Sequence, residues 1–174
     1  TESGAPPYEA ASNTQEAFVI VLFFADVIGK PGRELLRSKL PALRERYNAD
    51  AVIANGENAT DGTGIRPKHA EELFAAGVDV ITTGNHIWRQ RDVYRYLDEN
   101  PRIIRPFNFL ESNPGRGVTV VDTPDGRLGV INLSGDLYLY PARSPFEVIE
   151  QALEQLHGVR TIFVDLHAEA TSEK

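Results

Sequence analysis

Residues 18–26 of this 174-residue chain have the sequence FVIVLFFAD, a continuous apolar, β-branched and aromatic run that ends at Asp26. Such a run is typical of a strand that is covered on both faces of a sheet. A loop, VIGKPG, follows it, and a helical pattern extends over 32–47, where Pro41 is predicted to kink or divide the helix. A strand followed directly by a helix favours an α/β fold.

The same pattern recurs along the chain. Apolar segments at 51–54 and 78–83 predict short strands, and a helix that begins at Pro67 separates them. A βαβαβ order predicts parallel pairing. Segments 117–122 and 128–133, joined by Thr-Pro-Asp-Gly, predict an antiparallel hairpin, so the sheets are expected to be mixed. Further elements are predicted as helices at 89–97 and from Pro145 onward, and as strands at 103–104 and 161–166.

Composition limits the class of protein. The length suits one domain, and a net charge of −7 gives no general attraction to nucleic acid or to an anionic membrane. The absence of cysteine excludes disulfides and thiolate metal sites, and no apolar run reaches the ~18 residues of a membrane-spanning helix. Residues 1–17 are predicted to be a mobile tail. Cytoplasm is the default location, with an organelle as the alternative if this tail is a processed leader.

Side chains that can bind a metal ion follow the end of a predicted strand in four places. They are Asp26, Glu57 with Asn58, Asn85 with His86, and His167. Each one alone has an ordinary structural explanation as a turn, cap or structural residue. However, the carboxyl ends of parallel strands meet at one edge of a sheet, so the four loops are expected to lie together. Oxygen donors mixed with imidazole suit Mn, Fe, Mg or Zn, and a central carboxylate could bridge two ions ~3.5–4 Å apart.

Other sequence features favour plainer interpretations. Pro31 follows Lys30, which excludes the glycine-rich phosphate-binding loop that a lysine there could suggest. DGTG (61–64) is interpreted as a flexible loop that could form part of a substrate rim. The arginines of the first helix (Arg33, Arg37 and Arg44) are expected on a solvated face rather than against nucleic acid. His69 and His157 are placed on predicted helices as structural residues.

Four segments together resemble a known family. FFADVIGKPG (23–32), ANGEN (54–58), TTGNHIW (82–88) and VDLHAEATSEK (164–174) resemble the first four motifs of calcineurin-like metallophosphoesterases. Asp-Val-Ile-Gly and Gly-Glu-Asn resemble more narrowly the YmdB-type branch, which is similar to 2′,3′-cyclic nucleotide phosphodiesterases. The resemblance implies a calcineurin-like α/β sandwich of mixed sheets flanked by helices, with 18–174 as the N-terminal part of a single domain.

The resemblance also implies roles and cofactors. Asp26 and Asn58 would bind a first divalent metal ion, Asn85 and His167 a second, and Glu57 would bridge the two. His86 would act as a general acid or charge stabiliser. Iron or manganese is favoured, and magnesium or zinc is an alternative. The implied activity is phosphodiester hydrolysis by metal-activated water, with 2′,3′-cyclic nucleotides as the expected small-molecule substrates.

The resembled family continues into a Gly-Thr-His-Thr-His type motif that gives each metal ion one more histidine, and nothing like it follows Lys174. We therefore expect the chain to be incomplete at its C-terminus and inactive on its own. The alternative is a structural subunit of a larger assembly that has lost the chemistry. An open strand edge at 161–166 predicts a protein partner or self-association.

Overall fold

A computed structural model describes residues 18–174 of the chain. The tail predicted at 1–17 lies outside the described residues. The strands are β1 (Val21–Phe24), β2 (Ala51–Asn55), β3 (Val80–Thr82), β4 (Val118–Thr123), β5 (Gly126–Ser134) and β6 (Thr161–His167). The α-helices are α1 (Gly29–Tyr47), α2 (Pro67–Ala75), α3 (Val93–Glu99) and α4 (Pro145–Glu154), and short 3₁₀ helices cover Asn85–Arg89 and Thr171–Glu173.

The strands form two three-stranded sheets. The first has the order β1-β2-β3 with parallel pairing throughout, as the βαβαβ pattern predicts. The second has the order β4-β5-β6, in which β4 and β5 form the predicted antiparallel hairpin and β6 lies parallel to β5. The mixed character of the sheets is therefore confirmed.

The two sheets pack face to face and helices cover their outer sides. Between the sheets lie fully buried side chains from β2, β3 and β5, among them Ile53, Val80 and Val130. Helices α1 and α2 pack on the outer side of the first sheet, and α4 packs on the second through Val148 and Ala152. These layers are the α/β sandwich that the sequence predicts. Within residues 18–174, no helix is both long and apolar enough to cross a membrane.

Helix α1 differs from its prediction in two respects. It begins at Gly29, three residues earlier than expected, and it continues through Pro41, so the division that was one of the two effects predicted for this proline does not occur. Leu36 and Leu40 are buried just before the proline, and their packing offsets the lost backbone hydrogen bond. The helix ends at Asn48, whose left-handed backbone (φ 48°) allows its N–H to reach the last carbonyls.

The arginines of α1 are not all solvated. Arg33 donates to Oε2 of Glu72 at 2.7 Å and to the carbonyl of Ala59, and its side chain is only 10% exposed. Arg44 lies 3.1 Å from Oδ2 of Asp79. Two of the three arginines therefore hold α1 to its neighbours, which a pattern of charges along one helix does not show.

Three other local predictions differ from the structure. A single helix was expected at 89–97, whereas a 3₁₀ turn precedes a shorter α3 because contacts to Glu57 hold the chain around His86. His157 lies in the turn after α4 rather than on the helix. Ile103 makes only an isolated bridge to Ile81.

Candidate functional site

All six predicted site residues lie at one edge of the sandwich. The parallel register aligns Phe24 with Ala54 and Asn55 with Thr82, so the chain leaves β1, β2 and β3 side by side. His167 is the last residue of β6 and arrives at the same edge from the second sheet. The predicted meeting of the four loops is therefore observed.

Glu57 lies at the centre of the cluster. Its side chain is 2% exposed, and its Oε1 lies 3.2 Å from Nε2 of His167 and 3.3 Å from Nδ1 of His86. Its Oε2 accepts a hydrogen bond from the backbone N–H of His86 at 3.1 Å. The carboxylate comes this close to β3 because Gly84 has no side chain, since a Cβ there would collide with Oε2. One buried carboxylate is thus shared by two imidazole rings.

Asn58 joins the Asp26 loop to the rest of the site. Its Nδ2 donates to Oδ1 of Asp26 at 2.7 Å, and its Oδ1 lies 2.7 Å from Nδ1 of His86. Asp26 has a left-handed backbone (φ 50°), a conformation that costs about 1–3 kcal/mol. Two backbone hydrogen bonds hold this turn. The N–H of Val27 donates to the carbonyl of Asn55 in β2 at 2.8 Å, and the N–H of Gly29 donates to the carbonyl of Asn58 in the following loop at 2.9 Å.

Asn85 and His167 complete the arrangement across the two sheets. Nε2 of His167 lies 3.2 Å from Oδ1 of Asn85 as well as from Glu57. The side chains of Asn85, His86 and His167 are half-buried, so the cluster opens to solvent on their side.

Charges within the cluster shift the pKa of two ionisable groups, Glu57 and His167. Burial alone would raise the pKa of the Glu57 carboxyl, but the hydrogen bond and charge of His167, with those of His86, hold that pKa below its ordinary value. Burial likewise opposes the charged form of His167, but the carboxylates of Glu57, Asp165 and Asp26 raise its pKa. The pocket therefore stabilises a cation next to Glu57.

Sequence reasoning missed a buried polar group behind the site. The carboxylate of Asp165 accepts hydrogen bonds from Oγ1 of Thr82 at 2.5 Å and from Nδ2 of Asn55 at 3.3 Å. Oδ1 of Asn55 in turn accepts a hydrogen bond from the backbone N–H of Glu57 at 3.2 Å. Burial raises the pKa of the Asp165 carboxyl. The only signal in the sequence was a carboxylate interrupting the apolar run TIFVDL.

The donor atoms of the cluster suit divalent metal ions. Carboxylate, amide oxygen and imidazole are all present, and this combination serves Mn, Fe, Mg and Zn. Within residues 18–174, no three His, Cys, Asp or Glu side chains converge in a ready metal-binding arrangement. The side chains contact one another, and amides contribute two of the five candidate ligands, Asn58 and Asn85. The chemistry of the set fits a metal centre grouped around the Glu57 carboxylate.

Comparison with known proteins identifies the family of the chain. A family model described as "YmdB-like protein" matches residues 22–174. The chain belongs to the YmdB-like family. The fold class and the family resemblance deduced from the four motifs are thereby confirmed.

Three similar proteins illustrate the relationship. This YmdB-like chain is 41% identical over 155 residues to a 2′,3′-cyclic-nucleotide 2′-phosphodiesterase of Bacillus subtilis, covering 88% of the chain and 59% of that protein. A hypothetical protein from Thermus thermophilus superposes with a TM-score of 0.81 at 38% identity, covering 88% and 60% of the two chains. A novel phosphatase from Mycoplasma pneumoniae superposes with a TM-score of 0.80 at 36% identity, covering 89% and 57%. The chain thus spans less than two thirds of the length of these relatives.

Proposed function

We propose that this protein is a metal-dependent phosphodiesterase that hydrolyses small phosphodiesters, with 2′,3′-cyclic nucleotides as its expected substrates. The observation that carries the proposal is the buried Glu57 carboxylate, which His86 and His167 share while Asp26, Asn58 and Asn85 surround it. The name of the Bacillus subtilis relative supports the class of substrate.

The family resemblance implies which residues would hold two metal ions, and their grouping around Glu57 supports that assignment. Asp26 and Asn58 would serve one ion, Asn85 and His167 the other, and Glu57 both. Iron or manganese is favoured, and magnesium or zinc is an alternative. When bound, two such ions supply positive charge to the phosphoryl oxygens and Lewis acidity to activate water. A chain with a net charge of −7 needs such a local positive centre to attract an anionic substrate.

The protein side chains would position the substrate and move a proton. Nδ1 of His86 faces Asn58 and Glu57, which leaves Nε2 as the nitrogen available to give a proton to the leaving oxygen. The side chain of His86 is 28% exposed, whereas that of Glu57 is 2% exposed. A substrate would therefore meet His86 from solvent while Glu57 stays shielded.

A structural subunit without catalytic activity is the second candidate. The observation that favours it is that candidate ligands bond to one another, as Asn58 does to Asp26 and His167 does to Asn85. Under this alternative the fold and the site residues persist while metal binding has been lost.

Metal analysis and hydrolysis of adenosine 2′,3′-cyclic phosphate separate the two candidates. Both are measured on the natural protein that carries this chain, for the wild type, Glu57→Gln, and the control Glu150→Gln on the exposed face of α4. We expect metal-dependent hydrolysis that falls at least ~10–100-fold in Glu57→Gln, because the loss of a ligand should exceed that of a supporting hydrogen bond. Absent hydrolysis together with absent metal would favour the structural subunit, whereas equal hydrolysis by the two variants would show that Glu57 takes no part in the reaction.

A further inference from the structure

A cleft of about 330 Å³ lies directly beside the candidate site. Asn85 belongs to both, because it contacts His167 and also lines the cleft. The other lining side chains are uncharged and mostly apolar or aromatic; they include Trp88, Phe109, Asn113, Leu139 and Tyr140. A cleft with this lining suits a neutral, flat group rather than a second phosphate.

One wall of the cleft is held rigidly in place. The ring of Trp88 contacts Tyr94 edge-on at 5.6 Å and Phe109 at 5.9 Å, measured between ring centroids. The hydroxyl of Tyr94 donates to the carbonyl of Trp88 at 3.0 Å. Trp88 also belongs to the same 3₁₀ helix as Asn85 and His86, so its position is coupled to theirs. The aromatic wall is therefore formed before any ligand arrives.

Another part of the cleft lining is a loop that presents a tyrosine to solvent. Tyr140 is 89% exposed, and its backbone lies in the left-handed region (φ 51°). The loop is fixed at its start, where Oε1 of Glu173 accepts the backbone N–H of Asp136 at 2.6 Å. It is fixed at its end, where the carbonyl of Asn108 accepts the N–H of Ala142 at 3.1 Å. A strained, exposed aromatic residue on an anchored loop is a feature of ligand-binding sites.

We propose that this cleft binds the nucleobase of a nucleotide phosphodiester whose phosphate lies at the Asn85 side. The location of the phosphate rests on the function proposed above. Trp88 and Tyr140 would supply aromatic surface for stacking, which tolerates any base because every base has a π face. The amide of Asn113 can donate to and accept from the polar edge of a base. The cleft would thereby distinguish nucleotides from phosphodiesters that lack a base.

Fluorescence of the protein tests the cleft without metal or turnover. Trp88 is the single tryptophan of the chain, so its emission reports on this wall. We expect saturable quenching by adenosine and none by ribose. Tyr140→Ala should weaken adenosine binding about fivefold to a hundredfold, the usual effect of removing one stacking residue. The control is Tyr138→Ala, which removes a tyrosine that is 75% exposed and also has a positive φ (73°) but does not line the cleft.

Hydrolysis tests the link between the cleft and the reaction. The measured quantity is the ratio of kcat/KM for adenosine 2′,3′-cyclic phosphate to that for methyl ribofuranoside 2′,3′-cyclic phosphate, in the metal-loaded natural protein. We expect Tyr140→Ala to lower this ratio and Tyr138→Ala to leave it at the wild-type value.

The two proposals fail in different ways. If neither phosphodiester is hydrolysed but adenosine still quenches Trp88, the proposed function fails and the cleft proposal stands. If both are hydrolysed equally well and adenosine does not quench, the cleft proposal is overturned and the function stands. Loss of self-association in Tyr140→Ala, seen by light scattering without any effect of adenosine, would assign the cleft to a protein contact and overturn the proposal.

Discussion

The two site histidines have different surroundings, and these predict different roles. His167 contacts Glu57 and Asn85, both candidate ligands of a metal ion. His86 turns Nδ1 towards Asn58 and Glu57 and is more exposed, which suits a group that meets the substrate.

We expect His86→Gln to lower the rate of hydrolysis ~10²–10⁴-fold, the usual contribution of a general acid, while metal content changes little. Metal analysis and initial rates check this, with His157→Gln as the control. Loss of metal in His86→Gln would make His86 a ligand instead.

His69 illustrates a structural histidine with a measurable effect on stability. It is buried, and its Nδ1 lies 2.6 Å from Oγ1 of Thr60. Burial first, and then the charge of Arg33, lower its pKa below 6.5. Because the unfolded chain binds the proton more readily, stability is full above pH 6.5 and falls as pH decreases through the folded-state pKa.

The corresponding experiment uses substitutions at the two histidines outside the site. The free energy of unfolding is measured with denaturant at a series of pH values. Below pH 6.5 it should decrease less steeply with falling pH in His69→Asn than in the wild type. The control His157→Asn removes an exposed imidazole after α4. An unchanged slope in His69→Asn would show that another group is responsible.

The turn after β3 allows the two sheets to share one site. The backbone of Gly84 is extended (φ −157°), so an alanine there would be strained only by its neighbours. A Cβ would collide with Oε2 of Glu57 and lie 2.5 Å from Cδ2 of His167. Gly84→Ala should therefore cost about 1–3 kcal/mol of stability, as overpacking does, and also weaken metal binding.

The matched control for this turn lies in the core of the second sheet. A Cβ on Gly129 would approach Cδ1 of Leu156 at 2.6 Å, so Gly129→Ala is also expected to overpack. Thermal unfolding should show a loss of stability for both variants, whereas metal titration should show weaker binding only for Gly84→Ala. Equal metal binding in the two variants would contradict a special role for the close approach at Gly84.

The edges of both sheets meet on one side of the sandwich. Within residues 18–174, β6 pairs with β5 on one side only, and β1 is the outer strand of the first sheet. The rings of Phe23 and Phe163 lie 5.1 Å apart, so the two outer strands are neighbours. Phe23 is 39% exposed and Val164 is 41% exposed. An unpaired strand with exposed apolar side chains favours association with another chain.

We expect the chain to self-associate, or to bind a partner, through this edge. Light scattering at micromolar concentration should show that Val164→Lys reduces association, because a lysine on an edge strand opposes pairing. The control is Leu153→Lys, which places the same charge at an apolar position that is 39% exposed on α4. A wild-type chain that remains monomeric would remove the basis for an interface here.

Much of the fold and of the candidate site follows from local patterns in the sequence. Apolar runs, turn residues and helical periodicity specify strands and helices because they act over a few neighbouring residues. Parallel order then requires the ends of the first three strands to meet at one edge, which is why the strand pattern alone predicts that Asp26, Glu57 and Asn85 lie together. Where the prediction failed, as at Pro41, packing of Leu36 and Leu40 outweighed a local rule.

Contacts between distant parts of the chain were beyond that reasoning. Thr82 and Asp165 are 83 positions apart, so their pairing depends on how the second sheet packs on the first. The aromatic cleft likewise combines a 3₁₀ helix with a loop that follows β5. The sequence established which chemical groups are present and at which strand ends they stand. The packing of the two sheets decided which of these groups touch. Such contacts depend on strand register and on close packing between segments that are distant in the sequence.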